Sequence, residues 1–543
     1  MGIPSYFSYI VKNHANIIKR FERNTMQISN LYLDCNSIIY DAVHGINFNK
    51  LDDTDVNTII RNVLCKIDEY IYLIKPSQFI FIAFDGVAPV AKLEQQRGRR
   101  YKSLYQNQIM KNIFKDTKPD PWNTTAITPG TNFMAELNQR VKLYFNVPSK
   151  YNVESIILSA SDRFGEGEHK LFDFIRCNPK YHTKEHNTVI YGLDADLIML
   201  CINHLPISSN IYLFRETPHF IKTINSQLEP NETYLMDIPE LARIITLDMN
   251  NGQKLTTIQQ DNRKYDYIFL CFFLGNDFMP HFPAVNIRTG GVDKMLNAYK
   301  ATIGDTDDNL TDGRIIYWSK VKRLVAELAS AEWRHLKTET KLRERREENG
   351  NYPEDTPENI FKKFEALPNY QREVEKSINP FKSGWQARYY KALFGIDIDN
   401  AYKERICRNY LEGLEWTMKY YTIGCADWRW CYKYSYPPLL EDLLRYIPEQ
   451  DGFSYFPNNL KPNPVNELVQ LCYVLPKQSL SMLPEKLHKT LLERHGEWYK
   501  SDCEFLWAYC RYFWESHVKL PEININELEA LVERRNVDND NMI

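Results

Sequence analysis

Four stretches of the chain combine near-continuous apolar residues with a terminal aspartate. They are NLYLD, FIFIAFD, TVIYGLD and YIFLCFFLGND, which end at Asp34, Asp85, Asp194 and Asp277. Because polar residues do not alternate with apolar ones, these runs are typical of strands covered on both faces, as in a parallel sheet between helices. The segments between the runs are long enough for helical crossovers, and residues 91–104 carry many helix formers. The pattern predicts an α/β fold with a mostly parallel central sheet flanked by helices.

The terminal aspartates would gather along one edge of such a sheet, because open α/β sheets bind ligands at the carboxyl ends of their strands. Asp194 and Asp196 alternate with apolar neighbours, so at strand spacing both would point the same way. GEGE at 165–168 adds two carboxylates on a chain that its glycines allow to turn sharply. Any one of these residues alone could be a turn residue, a helix cap or part of a solvated loop. Together they form a candidate acidic site: Asp34, Asp85, Glu166, Glu168, Asp194, Asp196 and Asp277.

Carboxylates at this density require a positive partner. Without one they would repel each other and could not all ionise. Ligand sets made only of oxygen select hard cations such as Mg²⁺ or Mn²⁺ over Zn²⁺. A pair of such ions is the usual device for displacement at phosphorus. The sequence therefore predicts a centre with two Mg²⁺ ions, or Mn²⁺, in which all seven carboxylates act as metal ligands and catalytic residues.

The stretch KLEQQRGRRYK, which begins at Lys92, carries five basic residues and one acidic residue. On a helix, Lys92, Gln96 and Arg100 share one face, with Arg99 beside them. A charged run is most often a solvated face, but this one begins seven residues after Asp85. Ammonium and guanidinium groups beside a dimetal centre suit a phosphate. We therefore expect a phosphodiester substrate, with the scissile phosphate at the acidic site and a neighbouring phosphate at this basic row.

Composition narrows the class of protein. With 43% hydrophobic and 25% charged residues the chain is typical of soluble globular proteins. The net charge of −3 gives no global sign of nucleic-acid binding, so such a site has to be local. The eleven cysteines include no CxxC pair, which favours free thiols in a reducing compartment. No apolar run approaches the ~20 residues of a membrane helix, and no signal peptide is evident. We expect no membrane association and a cytoplasmic location, with the nucleus as an alternative.

A chain of 543 residues is long enough for two or more domains. We expect an α/β nuclease domain at 1–300 and a helical, aromatic-rich domain at 381–543 that packs over the acidic site and completes a channel. Core spacing predicts a helix from 316, which runs into the stretch KLRERREENGNYPEDTPENI. Its charge, glycine and proline are typical of an exposed linker. Residues 301–380 are therefore expected to form a charged helical linker region.

In this order, the motifs resemble the XRN-type 5′→3′ exoribonuclease family. The matching stretches include MGIPSYF, NLYLDCNSIIYDAVH, FIAFDGVAPVAKLEQQRGRRYK, GEGEHK, VIYGLDADLIML, YIFLCFFLGNDFMPHFP, GWQARYY and DWRWCYKYSYPPLLEDL. The wider flap-endonuclease superfamily shares the acidic centre but not the KxxxQxxRR helix. The resemblance implies a flap-nuclease-like core that hydrolyses single-stranded RNA with a 5′-monophosphate processively to mononucleotides. It also implies a role in RNA degradation such as mRNA decay.

The resemblance also assigns residues. It makes the seven carboxylates the metal and catalytic ligands, and Lys92, Gln96, Arg99 and Arg100 the pocket for the 5′-monophosphate. In the family, a His of the first motif and a Trp of the C-terminal half stack on bases. Two departures stand out here, since Tyr40 replaces that His and Ser37 replaces a Gly. The candidate stacking residues are Tyr40, Trp428 and Trp430, although either Trp could instead be a core aromatic.

Within the family, this chain resembles a compact member. It has no Cys/His cluster between 202 and 270, where nuclear members often carry a zinc knuckle, and it ends before the long C-terminal extension of the large cytoplasmic members. Two other functions stay open. A structure-specific, flap-type nuclease acting on DNA or RNA could use the same centre and would cleave a circular RNA. A non-catalytic RNA-binding scaffold is disfavoured, because a decayed site should have lost some of its carboxylates.

Overall fold

A computed structural model of the protein describes residues 5–22, 26–46, 55–115, 122–252, 255–395, 397, 399–456 and 463–540. Its main sheet consists of β1 (Ile18–Arg20), β2 (Asn30–Asp34), β3 (Phe79–Ala83), β4 (Ser155–Ser159), β5 (Thr188–Tyr191), β6 (Ile211–Glu216) and β7 (Thr233–Asp237). The strand order is β1-β7-β6-β5-β2-β3-β4. Strands β2 to β6 pair in parallel, whereas β1 and β7 are antiparallel at one edge. The predicted mostly parallel sheet is confirmed.

Helices surround this sheet and dominate the second half of the chain. The first half contains α1 (Tyr6–Asn13), α2 (Asn36–His44), α3 (Asp55–Ile74), α4 (Val90–Phe114), α5 (Asn132–Tyr144), α6 (Gly167–Cys177), α7 (Asp196–His204), α8 (Ile238–Met249), α9 (Thr257–Phe272) and α10 (Gly291–Tyr299). The second half contains α11 (Trp318–Glu348), α12 (Pro357–Glu365), α13 (Leu367–Tyr370), α14 (Glu373–Ile378), α15 (Trp385–Phe394), α16 (Asn400–Thr422), α17 (Leu440–Tyr446), α18 (Glu467–Val474), α19 (Glu485–His495) and α20 (Ile525–Asp540). A small antiparallel pair, β8 (Glu504–Leu506) and β9 (His517–Lys519), lies between α19 and α20.

The central strands are apolar throughout because both faces of the sheet are covered. Every residue of β2, β3 and β5 is buried. Leu31 and Ile80 belong to the core formed with α2, α3 and α5, whereas Tyr32 and Phe81 belong to the core on the opposite face. The second core runs from Tyr6 to Ile447 and joins the sheet to the C-terminal helices. Within the described residues, no helix is both long and apolar enough to cross a bilayer.

One of the four predicted strands is a helix. The run YIFLCFFLGND lies at the end of α9, whose N-terminus is fixed by a capping box between Thr256 and Gln259. From Tyr267 to Leu274 every residue is buried, because α9 is enclosed by its neighbours on all sides. An apolar run of this length does not distinguish a buried helix from a buried strand. The idea that Asp194 and Asp196 share a strand is also wrong, since β5 ends at Tyr191 and Asp196 is the first residue of α7.

The predicted helices fare differently. The helix expected at 91–104 is confirmed as α4, which spans 25 residues. The helix expected from 316 is confirmed as α11, which ends at Glu348 and so includes only the first part of the charged segment interpreted as an exposed linker. In that segment Arg343 is buried and bound to Glu375, so the linker interpretation is wrong there. The division of the chain at 301–380 stays a prediction.

Candidate active site

The carboxyl edge of the sheet brings the predicted carboxylates together. Asp34 ends β2, Asp85 follows β3 and Asp194 follows β5. The N-termini of α6 and α7 contribute three more, and Asp277 arrives from the loop after α9. Besides burial, neighbouring carboxylates raise the pKa of several members of the group. Asp85 and Asp194 raise that of Asp34, and Asp194, Asp196 and Glu166 raise that of Glu168. Asp277 raises that of Asp196. The structure therefore gathers all seven, whereas their metal and catalytic roles stay predictions.

Close approach of the backbone explains a glycine of the GEGE motif. A Cβ on Gly167 would lie 2.6 Å from Oδ1 of Asp34 and 3.3 Å from Oδ1 of Asp85. The Gly167 N–H donates to the same Asp85 oxygen at 2.6 Å. Gly165, at φ +101°, adopts a conformation that favours glycine. The motif therefore permits the start of α6 to lie directly against two aspartates.

Lys92 is the cation that meets this cluster. Its buried Nζ lies 2.5 Å from Oε2 of Glu166 and 2.8 Å from Oδ2 of Asp277. Burial alone would lower the pKa of Lys92, but Asp277 and Glu166 raise it well above the ordinary value. Conversely, although burial opposes the shift, Lys92 lowers the pKa of Asp277. The prediction placed Lys92 in a phosphate pocket, and the structure shows that it also neutralises part of the acidic group.

Burial and mutual repulsion disfavour the ionised form of several acids in the cluster. Burial, followed by the charges of nearby carboxylates, raises the pKa of Asp34 well above its ordinary value and that of Asp196 to about 7. Burial likewise raises the pKa of Glu168 well above its ordinary value. Oδ1 of Asp34 and Oε2 of Glu168 are buried without a hydrogen-bond partner. Within the described ranges, however, no three His, Cys, Asp or Glu side chains already stand in the arrangement of a metal site. The cluster has unused acceptor oxygens but is not a preformed coordination sphere.

Two residues that the sequence analysis missed hold the carboxylates in place. Asn36 donates from Nδ2 to Asp85 Oδ2 at 2.5 Å and accepts the Asp85 N–H at 2.9 Å. The buried Tyr420 donates from its hydroxyl to Oε1 of Glu166 at 2.8 Å and stacks on His169 with ring centres 3.7 Å apart. Asn36 could have been suspected because it follows Asp34 closely. Tyr420 lies 254 residues from its partner, and no local pattern indicates the contact.

The predicted basic row lies on one face of α4. Arg100 donates from Nη2 to Oγ1 of Thr128 at 2.5 Å, whereas its Nη1 is buried without a partner. Burial lowers the pKa of Arg100 to about 10, and Tyr40 is near enough to oppose that shift. Gln96 likewise has a buried Oε1 without a partner. The row therefore has unused hydrogen-bonding capacity next to Lys92.

Other side chains of α4 bind the C-terminal part of the chain. Arg97 donates to the carbonyls of Pro521 and Trp498, and Lys102 donates to those of Trp514 and Ser516. An open cavity of about 1290 Å³ also runs along this side, where Arg99 and Asp277 are part of its lining. Arg99 thus lies at the boundary between the basic row and the cavity. Within this stretch, Lys92 thus contacts the acidic cluster, whereas Arg97 and Lys102 bind the C-terminal part of the chain.

The structure separates the candidate stacking residues. Trp430 is only 8% exposed, stacks on Trp416 at 5.1 Å and donates to Glu412, so the prediction that it stacks on bases conflicts with its burial in the core. Trp428 is half-buried, and its carbonyl accepts the N–H of Val90 at the start of α4. Tyr40 is also half-buried and lies near Arg100. Trp428 and Tyr40 are therefore the accessible candidates.

Comparison with known proteins gives matches over nearly the whole chain. Residues 1–217 match the family described as XRN 5′-3′ exonuclease N-terminus, and residues 258–377 and 354–540 match the Xrn1 helical domain. A 5′-3′ exoribonuclease 2 homolog of Drosophila melanogaster is 26% identical, with 98% of this chain and 71% of the relative covered. The 5′-3′ exoribonuclease 1 of Homo sapiens is also 26% identical, over 99% of this chain and 34% of the relative.

Among solved structures, the catalytic core of Rad2 in complex with a DNA substrate aligns with 82% of this chain and all of that chain, at a TM-score of 0.31 and 11% identity. We draw no functional conclusion from similarity at this level. The two family matches span both the sheet that carries the acidic site and the helices that enclose it. On that basis the chain belongs to the XRN 5′-3′ exonuclease family.

Proposed function

We propose that this protein is a metal-dependent 5′→3′ exoribonuclease that hydrolyses single-stranded RNA with a 5′-monophosphate to mononucleotides. The observation that carries the proposal is the contact of Lys92 with Glu166 and Asp277. Through this contact, the first residue of the basic row lies inside the acidic cluster. One site thus combines oxygen ligands suited to the scissile phosphate with donors suited to a terminal phosphate. Membership of the XRN family supports the same activity.

The chemistry of the acidic cluster fits hard divalent cations. Its donors are all carboxylate oxygens, two of them buried without a partner, and burial raises the pKa of several of the acids. Mg²⁺ and Mn²⁺ prefer such oxygens. The residues that would hold them are Asp34, Asp85, Glu166, Glu168, Asp194, Asp196 and Asp277. When bound, such ions would supply activation of water and stabilisation of the leaving oxygen at phosphorus.

The side chains around the cluster orient its members. Asn36 and the Gly167 N–H fix the two oxygens of Asp85, and Tyr420 fixes one oxygen of Glu166. Carboxylates held in this way keep their geometry when charge builds up at phosphorus, which is how preorganised groups lower a barrier. Lys92 brings a positive charge to the same place. The chain thus supplies orientation and charge.

The basic row explains why hydrolysis would start at a 5′ end. Arg100 Nη1 is buried without a partner, which is costly unless a ligand that accepts a hydrogen bond binds there. A terminal phosphate would accept hydrogen bonds from Arg100, from the Gln96 amide and from Lys92. Arg100 is further enclosed by Thr128 and Tyr40, so the row admits a chain end more readily than a continuous strand. Tyr40 and Trp428 remain available to stack on bases.

The proposal is tested with end-labelled RNA of one sequence that carries a 5′-monophosphate, a 5′-triphosphate or a 5′-hydroxyl, with and without Mg²⁺. We expect release of mononucleotides, Mg²⁺ dependence and a preference for the monophosphate. Asp194→Asn and Asp196→Asn should abolish hydrolysis but leave the fold and RNA binding intact, because each removes a negative charge from a crowded group. Near-normal turnover by either variant would remove that residue from the site. No hydrolysis by the unchanged protein would refute the function.

A circular single-stranded RNA distinguishes the proposed exonuclease activity from the main alternative, a flap-type endonuclease. An exonuclease requires an end and should leave the circle intact, whereas a flap-type endonuclease on the same cluster would cut it. Cleavage of the circle at a rate comparable with that of the linear RNA would replace our proposal by that alternative.

A further inference from the structure

Phe164 is unusual among the large apolar side chains near the acidic cluster. Its side chain is 62% exposed, although it lies only two residues before the buried Glu166. Its ring stands edge-to-face to Trp428, with ring centres 5.5 Å apart and planes at 88°. Isolated exposed apolar residues are common, but the exposed ring of Phe164 beside the half-buried ring of Trp428 forms an aromatic surface that a ligand can cover.

Backbone hydrogen bonds fix the two main-chain segments that carry Phe164 and Trp428. The Phe164 loop is fixed because the Gly165 N–H donates to Val87 O at 2.7 Å and the Gly86 N–H donates to Gly165 O at 2.9 Å. The Trp428 carbonyl accepts the Val90 N–H at 2.9 Å. The two aromatic rings are thereby anchored to the segment that joins Asp85 to Lys92. Their spacing is set by the same backbone that sets the site.

We propose that Phe164 and Trp428 form an aromatic ledge on which a base of the RNA stacks next to the scissile phosphate. The inference rests on the proposed function and assigns Phe164 as a substrate-contacting residue. An edge-to-face pair leaves part of each ring open, and nucleobases stack on aromatic side chains without regard to sequence because every base has a π face. The ledge therefore holds single-stranded RNA by its bases while the cluster engages its phosphate.

Replacement of the ring tests the ledge. Phe164→Ala should raise KM and weaken equilibrium binding of a single-stranded oligonucleotide by about 5- to 100-fold, the range found when one stacking aromatic is removed. Phe164→Tyr and Phe164→Trp should restore binding because they keep a ring, whereas Phe164→Leu should not, although it keeps apolar bulk. Phe220, which is 55% exposed between β6 and β7, provides the control, and Phe220→Ala should change neither quantity.

The substrate supplies the second arm. RNA with abasic sites at its first nucleotides offers no ring, so the unchanged protein and Phe164→Ala should bind it equally. Equal effects of Phe164→Ala and Phe220→Ala would overturn the ledge. So would a fall in kcat alone that is equal on normal and abasic RNA, since it would show that Phe164 only supports the Glu166 loop.

Equilibrium binding without Mg²⁺ separates this inference from the proposed function. A protein that does not hydrolyse RNA but loses oligonucleotide binding on Phe164→Ala would refute the activity and support the ledge. Normal hydrolysis of RNA by the Phe164→Ala variant would refute the ledge but would not contradict the proposed activity. Failure of the unchanged protein to bind or hydrolyse any single strand would overturn both.

Discussion

Helices α4 and α11 each carry a dense run of charge, and the structure uses the two runs in opposite ways. In α11, Arg343 is bound by several protein groups, because it donates twice to Glu375 and once each to the carbonyls of Pro368 and Cys510. In α4, the face with Arg100 and Gln96 has buried atoms without partners, and Lys92 lies among carboxylates. Both sequences are rich in charge, but the partners of their cations differ.

This difference distinguishes a cation that stabilises the fold from a cation that is available to bind a ligand. Arg343 joins three segments distant in sequence, and its guanidinium replaces hydrogen bonds that those backbone carbonyls would otherwise make to water. In the α4 row, Arg100 Nη1 and Gln96 Oε1 are buried without hydrogen-bond partners near the acidic cluster. Proteins retain such unsatisfied groups at functional sites. Arg343, which several protein groups bind, is therefore expected to contribute to stability, whereas Arg100, with a buried unpaired donor near the acidic cluster, is expected to bind a ligand.

Lys92→Met should give the largest effect and bears on both roles. It removes two charge-assisted contacts, so activity should fall roughly a hundredfold to ten-thousandfold. It also leaves Glu166 and Asp277 without their cation, which should lower Tm in the absence of divalent ions. Mn²⁺ or Mg²⁺ should then raise Tm more for the variant than for the unchanged protein, as calorimetry would show. Identical metal-induced shifts would argue against a shared site for Lys92 and the metal.

Arg343→Met should separate stability from activity. The variant removes one of the two buried arginines that bind Glu375, since Arg372 still donates to it at 2.9 Å, and it leaves the carbonyls of Pro368 and Cys510 without this donor, so we expect a loss of about 1–3 kcal/mol. Urea unfolding should reveal this loss, while kcat of the folded fraction at low temperature should be unchanged. Arg345→Met, an exposed arginine two residues further along α11, provides the matched control and should change stability by less than ~0.5 kcal/mol. A selective loss of kcat would place Arg343 with the α4 row instead.

Arg100→Ala should lower activity with little effect on stability, which is the opposite of the effect expected for Arg343→Met. Each hydrogen bond to a charged group contributes roughly 1.5–3 kcal/mol, so hydrolysis of monophosphorylated RNA should fall about ten- to hundredfold. RNA with a 5′-hydroxyl should be affected little, and stability should fall by no more than about 0.5–1.5 kcal/mol, the contribution of the hydrogen bond that Arg100 donates to Thr128. Arg61→Ala, on the exposed face of α3, is the control for general electrostatics. Equal losses on both RNAs, with a weaker salt dependence, would reduce the row to a nonspecific basic patch.

The smallest effect concerns Glu332, a buried acid of α11 that accepts the N–H of Leu440 at the start of α17. Burial raises its pKa to about 8, so between the ordinary value of 4.5 and 8 the folded state holds a proton that the unfolded state releases. Its contribution to stability is complete at low pH and is lost as pH rises through this window. Between pH 6 and 7 the loss should approach ~1.4 kcal/mol. Glu332→Gln should flatten the dependence, and an unchanged slope in urea unfolding would contradict the assignment.

How far the sequence predicts this site depends on the range of the contacts. Asp34, Asp85 and Asp194 follow strands whose apolar runs are visible, so their meeting at one edge could be predicted. Asp277 was predicted to reach the right place from the wrong element, because α9 is as apolar as a buried strand. The support of Glu166 by Tyr420 could not be predicted, since it depends on how α16 packs against α6. The burial of Trp430 could not be predicted either, because it depends on packing against Trp416.

The anchoring of α4 has a consequence for how the chain is made. Arg97 is held by the carbonyl of Pro521, which lies 424 residues further along the chain. At synthesis rates of roughly 5–20 residues per second, the ribosome needs about 20 to 80 seconds to reach that anchor after making the helix. Until then, the helix that carries the basic row lacks one of its fixed supports. A nascent chain therefore completes the support of this helix only after Pro521 has been synthesised.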